Sequence, residues 1–199
     1  FSLIVWGFTL ENRLFNDLYR LKSICIFYSM KKIKRLIFES LVGSHSNDLF
    51  TVMNNQNIYK YVDESRYTNK DKLFKRYVFL SKGAPPESNQ EWLNWAIKLK
   101  NSNDYIGLLQ ATIYKNQKTE IGYLLSPKYW SKGYGTEAVD YLCEYLFKYK
   151  NVKKIIASID IHNLFSIMLV EKLHFKYVKT VDCTLKNKPA KEKIYQLNL

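Results

Sequence analysis

The sequence predicts an α/β fold, a single domain on a mixed, mostly antiparallel sheet of about six to seven strands flanked by helices. Three observations carry this. Runs that alternate apolar and polar residues are interleaved with runs whose apolar residues recur every three or four positions. Their order is β, α, α, β, β, β, α, β, α, β, β, with an antiparallel meander at its centre. Between an apolar strand-like run and an amphipathic helix-like run, the stretch YLLSPKYWSKGYGTEAV places Gly133 and Gly135 one residue apart. At 199 residues the chain is long enough to bury a sizeable core without a metal or disulfide framework.

The first strand is read in KIKRLIFESL, where Ile33, Arg35, Ile37 and Glu39 alternate with Lys34, Leu36, Phe38 and Ser40. After a turn at Gly43, Leu49, Val52 and Met53 share a helical face, with Ser44 or Ser46 as cap. Thr68-x-x-Asp71 resembles a capping box for a second helix that carries Leu73, Tyr77 and Leu80. Pro85 and Pro86 deny the backbone two donors and mark a loop. Ser88-x-x-Glu91 could cap a helix, but Leu93, Trp95, Ile97 and Leu99 alternate with Asn94, Ala96 and Lys98, so a strand is expected. Tyr105 to Tyr114 and Thr119 to Leu125 complete the meander. Beyond the glycines, Ala138, Val139, Leu142 and Leu146 trace a helical stripe, and KKIIASID reads as a buried strand from Lys154. A short helix from about Asn163 to Leu173 carries Ile167, Val170 and Leu173. FKYVKTV and KIYQL then flank a lysine-rich turn.

The net charge is +13. It invites a polyanionic partner, but the lysines accompany abundant Asn, Ile, Tyr and Phe, as an AT-rich coding sequence would also produce. Lys186, Lys188, Lys191 and Lys193 surround Pro189 in a hairpin tip that either touches RNA or is simply solvated. Cys25, Cys143 and Cys183 are widely spaced and odd in number, which suits a reducing, cytoplasmic setting. No run approaches the roughly 18 apolar residues of a membrane span, and no metal site is expected. Residues 1–29 fail as a signal peptide, because Glu11, Arg13 and Asp17 follow a short apolar run. Leu14, Leu18 and Leu21 share helical spacing there. They are read as an extension of doubtful origin, with Met30 as the expected start and 30–199 as the domain.

A strand ending at Pro127 and a helix beginning near Gly135 enclose a short basic loop. Glycine permits positive φ and close backbone approach, while a helix start presents unpaired N–H groups and about half a positive charge. That is an anion seat, with Lys132 beside it. It is neither a dinucleotide fingerprint, which needs a third glycine, nor a P-loop, which needs Gly-Lys-Ser/Thr.

Together, EIGYLLSPKYWSKGYGTEAVDYL and HNLFSIMLVEKLHF resemble the GNAT superfamily of acyl-CoA-dependent N-acyltransferases, and within it the RimJ/RimL-type branch of ribosomal-protein N-terminal acetyltransferases. The resemblance runs from about Lys34 to Leu197 and is most specific from Glu120 to Phe175. It implies acetyl-CoA as acyl donor, its diphosphate held by backbone N–H groups of Ser131, Lys132, Gly133, Tyr134, Gly135 and Thr136. It sets Tyr123, Leu124 and Leu125 along the pantetheine arm, a backbone N–H near Leu124 on the thioester carbonyl, and Asn163 and Ser166 across the split between strands. Trp130 stands where the wider superfamily has Gln or Arg, as is common in this branch.

Many members carry Tyr, as the acid for the departing thiolate, where this chain has Val170; Ser166 or a water is then the local acid. His174 replaces the usual Gly before Phe175. Glu120, at the start of the strand beside the thioester, is the expected base, while Glu137 complements the helix dipole. Trp92, Trp95 and Tyr59 fall where the family builds its acceptor groove. The resemblance implies an N-acetyltransferase acting on a primary amine, as monomer or homodimer. Basic composition tilts the acceptor toward a peptide or protein α-amine. The alternatives are a small-molecule amine such as an aminoglycoside or polyamine, and a non-catalytic acyl-CoA-binding module associated with RNA or the ribosome.

Overall fold

The computed structural model describes residues 35–116 and 118–199. The expectations for residues 1–29, Met30 and Cys25, and the start of the first strand at Ile33 and Lys34, lie outside the described residues.

Among the described residues seven strands, β1 (Leu36–Ser40), β2 (Gln90–Leu99), β3 (Tyr105–Tyr114), β4 (Lys118–Leu125), β5 (Lys154–Asp160), β6 (Lys176–Leu185) and β7 (Lys188–Asn198), form one sheet in the order β1-β2-β3-β4-β5-β7-β6. Four α-helices of the described residues accompany them: α1 (Ser46–Met53), α2 (Lys70–Ser81), α3 (Tyr134–Tyr149) and α4 (Leu164–Lys172). All strand pairs are antiparallel except β4 and β5, as the α/β, mixed-sheet expectation required.

Because strand side chains alternate, each face of the sheet collects its own core. Phe38, Trp95, Leu109, Leu125, Ile155 and Tyr195 pack with Ala138, Val139, Leu142 and Leu146 of α3 and Ile167 and Val170 of α4. On the opposite face Ala96 and Leu108 pack with Leu49, Val52 and Met53 of α1 and Leu73, Tyr77 and Leu80 of α2. The apolar stripes read from helical spacing are therefore the faces that the two cores bury.

The feature that positions the site is the short β4–β5 pairing. The two strands pair only at Lys118, Thr119 and Glu120 against Lys154, Ile155 and Ile156. From Ile121 to Leu125 β4 has no strand partner on that side among the described residues, so the sheet opens into a cleft in its middle.

Several local expectations are corrected. The cap of α2 is Asn69, whose Oδ1 accepts from the N–H groups of Asp71 and Lys72, in place of Thr68. Neither Ser44 nor Ser46 caps α1, because a 3-10 turn over Gly43–His45 runs straight into it. His174 ends α4 in the place where the family usually has Gly. It adopts φ 65°, the left-handed position that glycine usually fills, and the Phe175 N–H donates to Val170 O at 3.0 Å. The lysine-rich hairpin tip is not wholly solvated. The Lys186 N–H donates to Asp63 Oδ1 at 2.7 Å and its ammonium to Tyr59 O at 2.5 Å, which folds the hairpin onto the segment after α1.

Candidate active site

The cleft between the parted strands holds a cavity of about 350 Å³. Its floor is Tyr123, Leu124 and Leu125 of β4. Ser131, Gly133, Gly135 and Thr136 form its outer end, and Asn163 and Ser166 at the start of α4 form its far wall. The structure thus brings together nine of the sequence-predicted residues. Lys132 and Tyr134, in the same loop, do not line it.

The loop is shaped for an anion. Ser131 and Gly133 both have positive φ, 57° and 77°, and such alternation turns successive N–H groups inward. The first bond of the α3 ladder runs from the Glu137 N–H to Gly133 O at 3.1 Å, which leaves the N–H groups of Tyr134, Gly135 and Thr136 outside the ladder. Gly133 needs glycine for its backbone angle. Gly135 needs it for space: a Cβ there would lie 2.9 Å from Leu169 Cδ1 and 3.3 Å from Leu125 Cδ1. Trp130 ties the loop to the strand end, donating from Nε1 to Leu125 O at 2.7 Å.

Arg35, which sequence reasoning assigned no role, clamps this loop from behind. Its Nε donates to Glu137 Oε2 at 2.7 Å and its Nη1 to Lys132 O at 2.9 Å, while the guanidinium lies 4.2 Å from the Tyr134 ring centroid. Its own N–H donates to Glu137 Oε1 at 2.9 Å. Glu137 therefore serves as an anchor for the first strand at the start of α3.

The ladder phase decides which backbone groups face the cleft. The Ser126 N–H donates to Ile106 O at 2.8 Å, and Leu108 lies opposite Leu124 in the same register. Antiparallel pairs alternate between bonded and non-bonded, so the Leu124 N–H is committed to Leu108. The N–H groups of Tyr123 and Leu125 point to the open side. The backbone N–H groups that β4 offers to the open side near Leu124 are thus those of its two neighbours.

Tyr123 sends its ring to the face that carries α3 and α4. Its hydroxyl is buried without a hydrogen-bond partner. Burial pushes the phenol up to about 12; the neighbouring Ser166 hydroxyl eases the rise, and Cys143 adds to it. Asn163 accepts from the Ser166 N–H at 3.3 Å and so caps α4 while lining the cavity.

The remaining predicted residues lie elsewhere. Glu120 sits at the last β4–β5 pair, outside the cavity lining, with Tyr114 Oη donating to one carboxylate oxygen at 2.9 Å and Lys118 Nζ 2.7 Å from the other. Trp95 is core, edge-to-face on Tyr145. Tyr59 is fully buried and donates to Met53 O at 2.8 Å. Trp92 packs against Phe79 and donates to Gln90 Oε1 at 2.8 Å. The structure does not bring these three aromatics to the cavity. That part of its lining comes instead from Asn57, Ile58, Tyr61 and Val62, which flank Tyr59 in the chain. Phe165 and Met168 of α4 also line it while remaining 64% and 56% exposed. A signal for them existed: LFSIMLV is apolar on every face, more than one core contact requires.

The sequence profile of the Acetyltransferase (GNAT) domain matches residues 35–176. The uncharacterised N-acetyltransferase YnaD of Bacillus subtilis is 28% identical over 141 residues, 70% of this chain and 78% of that protein. Among solved structures, the ribosomal L7/L12 α-N-protein acetyltransferase RimL in complex with coenzyme A superposes with a TM-score of 0.72 at 16% identity, covering 83% of this chain and 95% of that one. The microcin C7 self-immunity acetyltransferase MccE, in complex with acetyl-CoA and AMP, gives 0.75 at 17% identity over 86% and 97%.

Proposed function

Because the chain belongs to the acetyltransferase (GNAT) domain family, we propose that it moves an acetyl group directly from acetyl-CoA to a primary amine, with a peptide or protein α-amine as the preferred acceptor. The observation that carries this is the parting of β4 from β5 beside a helix start with free N–H groups. The loop N–H groups would hold the diphosphate of the donor, β4 would lie along its pantetheine arm, and the Tyr123 and Leu125 N–H groups would face its thioester. Those donors stabilise the oxyanion as the amine attacks. A thioester is already activated, so the enzyme must chiefly hold an unprotonated amine against it.

Acceptor chemistry follows from proton affinity. An α-amine has an ordinary pKa of about 7.7–8.0 and lysine about 10.4, so deprotonation at neutral pH costs roughly 1 kcal/mol for the first and 4–5 for the second. Glu120, at the point where the strands part, is the base in this reading, and Ser166 lies across the cleft. RimL, a protein α-amine acetyltransferase by its description, shares the fold and supports the choice.

A second reading, a small cationic amine as acceptor, is favoured by one observation. Strand alternation puts Glu120, Asp160 and Glu192 on the face opposite α3, with Asp160 directly across from Glu192. The Glu192 carboxyl is raised by burial and then by the charges of Asp160 and Glu120. Local charge there is opposite to that of the whole chain. The reading as an RNA-associated module has less to rest on, since Lys186 is tied to Tyr59 and Asp63 and Lys191 pairs with Asp182 at 3.0 Å.

The test is tandem mass spectrometry of lysine-containing peptides incubated with acetyl-CoA and the protein. Acetyl on the α-amine alone supports the proposal. Acetyl absent from peptides but present on polyamines or aminoglycosides supports the second reading instead.

A further inference from the structure

Asn57, Ile58, Tyr61 and Val62 line one wall of the cavity, and that wall holds itself weakly. Its own backbone bonds are long: the Ile58 N–H donates to Asn55 O at 3.4 Å, the Lys60 N–H to Asn57 O at 3.4 Å and the Val62 N–H to Tyr59 O at 3.5 Å. An ordinary bond of this kind spans about 2.7–3.2 Å. Among the described residues its shortest bonds come from outside it. The Tyr59 hydroxyl donates to Met53 O at 2.8 Å, the Lys186 N–H to Asp63 Oδ1 at 2.7 Å and the Lys186 ammonium to Tyr59 O at 2.5 Å. Lys186 is also an unusual residue for its place. With Asn187 it forms the two-residue turn between β6 and β7, at φ 53° and 61°. Turns with both central residues left-handed favour Asn or Gly, so a lysine there strains the backbone. What it adds is a side chain that reaches the Tyr59 carbonyl.

The wall and the diphosphate seat stand on opposite faces of the sheet. Ile58, Tyr59 and Val62 pack with the core of α1 and α2, whereas Tyr134 and Leu169 beside the seat pack with the core of α3. A donor laid from the seat along β4 leaves the wall to the molecule that approaches from the other face, the amine. We propose, building on the acetyl-transfer reading above, that Lys186 is a positioning residue for the acceptor: from the β6–β7 turn it holds the 57–62 wall in the shape the amine substrate binds, and donor binding does not need it. The ammonium touches neither substrate. It acts through the carbonyl of Tyr59, the last residue of the 3-10 turn over Gln56–Tyr59 that carries Asn57 and Ile58 into the lining.

The test is Lys186→Asn, which keeps the backbone bond to Asp63, suits the left-handed turn and removes the ammonium. The variant should melt within about 2 °C of the wild type. Amide hydrogen exchange over 57–62, measured with no substrate present, should be about 5–20-fold faster than in the wild type. The KM for the peptide or polyamine that the wild type acetylates should rise by a similar factor, while kcat and the acetyl-CoA Kd stay within about twofold. Lys186→Arg, which still carries a donor to Tyr59 O, should recover most of both losses. Unchanged exchange, an unchanged KM, or an acetyl-CoA Kd that rises as much as the KM overturns the role of Lys186 alone. A wild type that acetylates no amine overturns the transferase reading and this role with it.

Discussion

Replacing Arg35 by Gln tests whether the anion seat is held by a residue that never touches the ligand. The substitution removes the ion pair to Glu137 at 2.7 Å, the bond to Lys132 O at 2.9 Å and the cation over Tyr134. Charged hydrogen bonds are worth about 1.5–3 kcal/mol when buried. The Arg35 side chain is 40% exposed and Glu137 16%, so solvent screening reduces the ion pair to about 1 kcal/mol. The cation–π contact adds about 0.5–1. Because the clamp fixes the carbonyl of Lys132 and the first turn of α3, losing it requires acetyl-CoA to order the loop on binding. If most of that 1.5–2 kcal/mol appears in binding, the acetyl-CoA Kd rises about 10–30-fold. Calorimetric titration with acetyl-CoA measures this, and steady-state kinetics should show kcat at saturating donor within about threefold of wild type. Arg35→Lys should recover little, since a point charge cannot span Glu137 and Lys132 together. A Kd unchanged while melting temperature falls would refute the reasoning, because the clamp would then serve β1 and not the loop.

Three further outcomes are expected. Gly135→Val places a Cβ 2.9 Å from the end of the flexible Leu169 side chain, so α3 should persist at a cost of about 1–3 kcal/mol while Leu169 is driven into the cavity; calorimetry should show acetyl-CoA affinity falling at least about tenfold. His174→Gly relieves a left-handed residue at the end of α4 and should stabilise the protein by about 0.5–1 kcal/mol, raising the melting temperature by about 1–4 °C in a thermal melt. Burial of the Glu39 carboxyl disfavours its charge, but hydrogen bonds from Tyr105 and His45 and the nearby Lys98 outweigh it and hold the pKa below the ordinary range. A depressed carboxyl stabilises the fold above its unfolded pKa and loses that contribution as pH falls through the folded value. Glu39→Gln should therefore unfold more easily in urea at pH 7, with the difference from wild type shrinking once pH falls below the ordinary glutamate value of about 4.3 and vanishing only below the lower folded value.

The element order was legible because each strand and helix of this chain carries its own period. Leu93, Trp95, Ile97 and Leu99 outvoted a capping signal at Ser88, and β2 is a strand over Gln90–Leu99. The anion loop was legible because Gly133 and Gly135 interrupt a chain poor in glycine. What stayed hidden depends on distance or on phase. Arg35 lies about a hundred positions from the loop it clamps, and nothing local to it marks that contact. Ladder phase, which gives the cleft the N–H groups of Tyr123 and Leu125 and not that of Leu124, is set by register with β3 and leaves no mark in composition. Trp95 and Tyr59 went to the core because large aromatics on a half-buried element fill volume first. The acidic side of the sheet was masked by averaging, since Glu120, Asp160 and Glu192 are far apart in a chain of net charge +13 and meet only when β4, β5 and β7 lie side by side.

The central claim is that this cleft transfers acetyl groups to amines. Its most direct test is acetyl-CoA-dependent release of free thiol by the purified protein in the presence of short peptides, run beside the same peptides blocked at their α-amines. The account predicts thiol release with the free peptides and none above background with the blocked ones. Tight acetyl-CoA binding with no release from peptides, polyamines or aminoglycosides would contradict it.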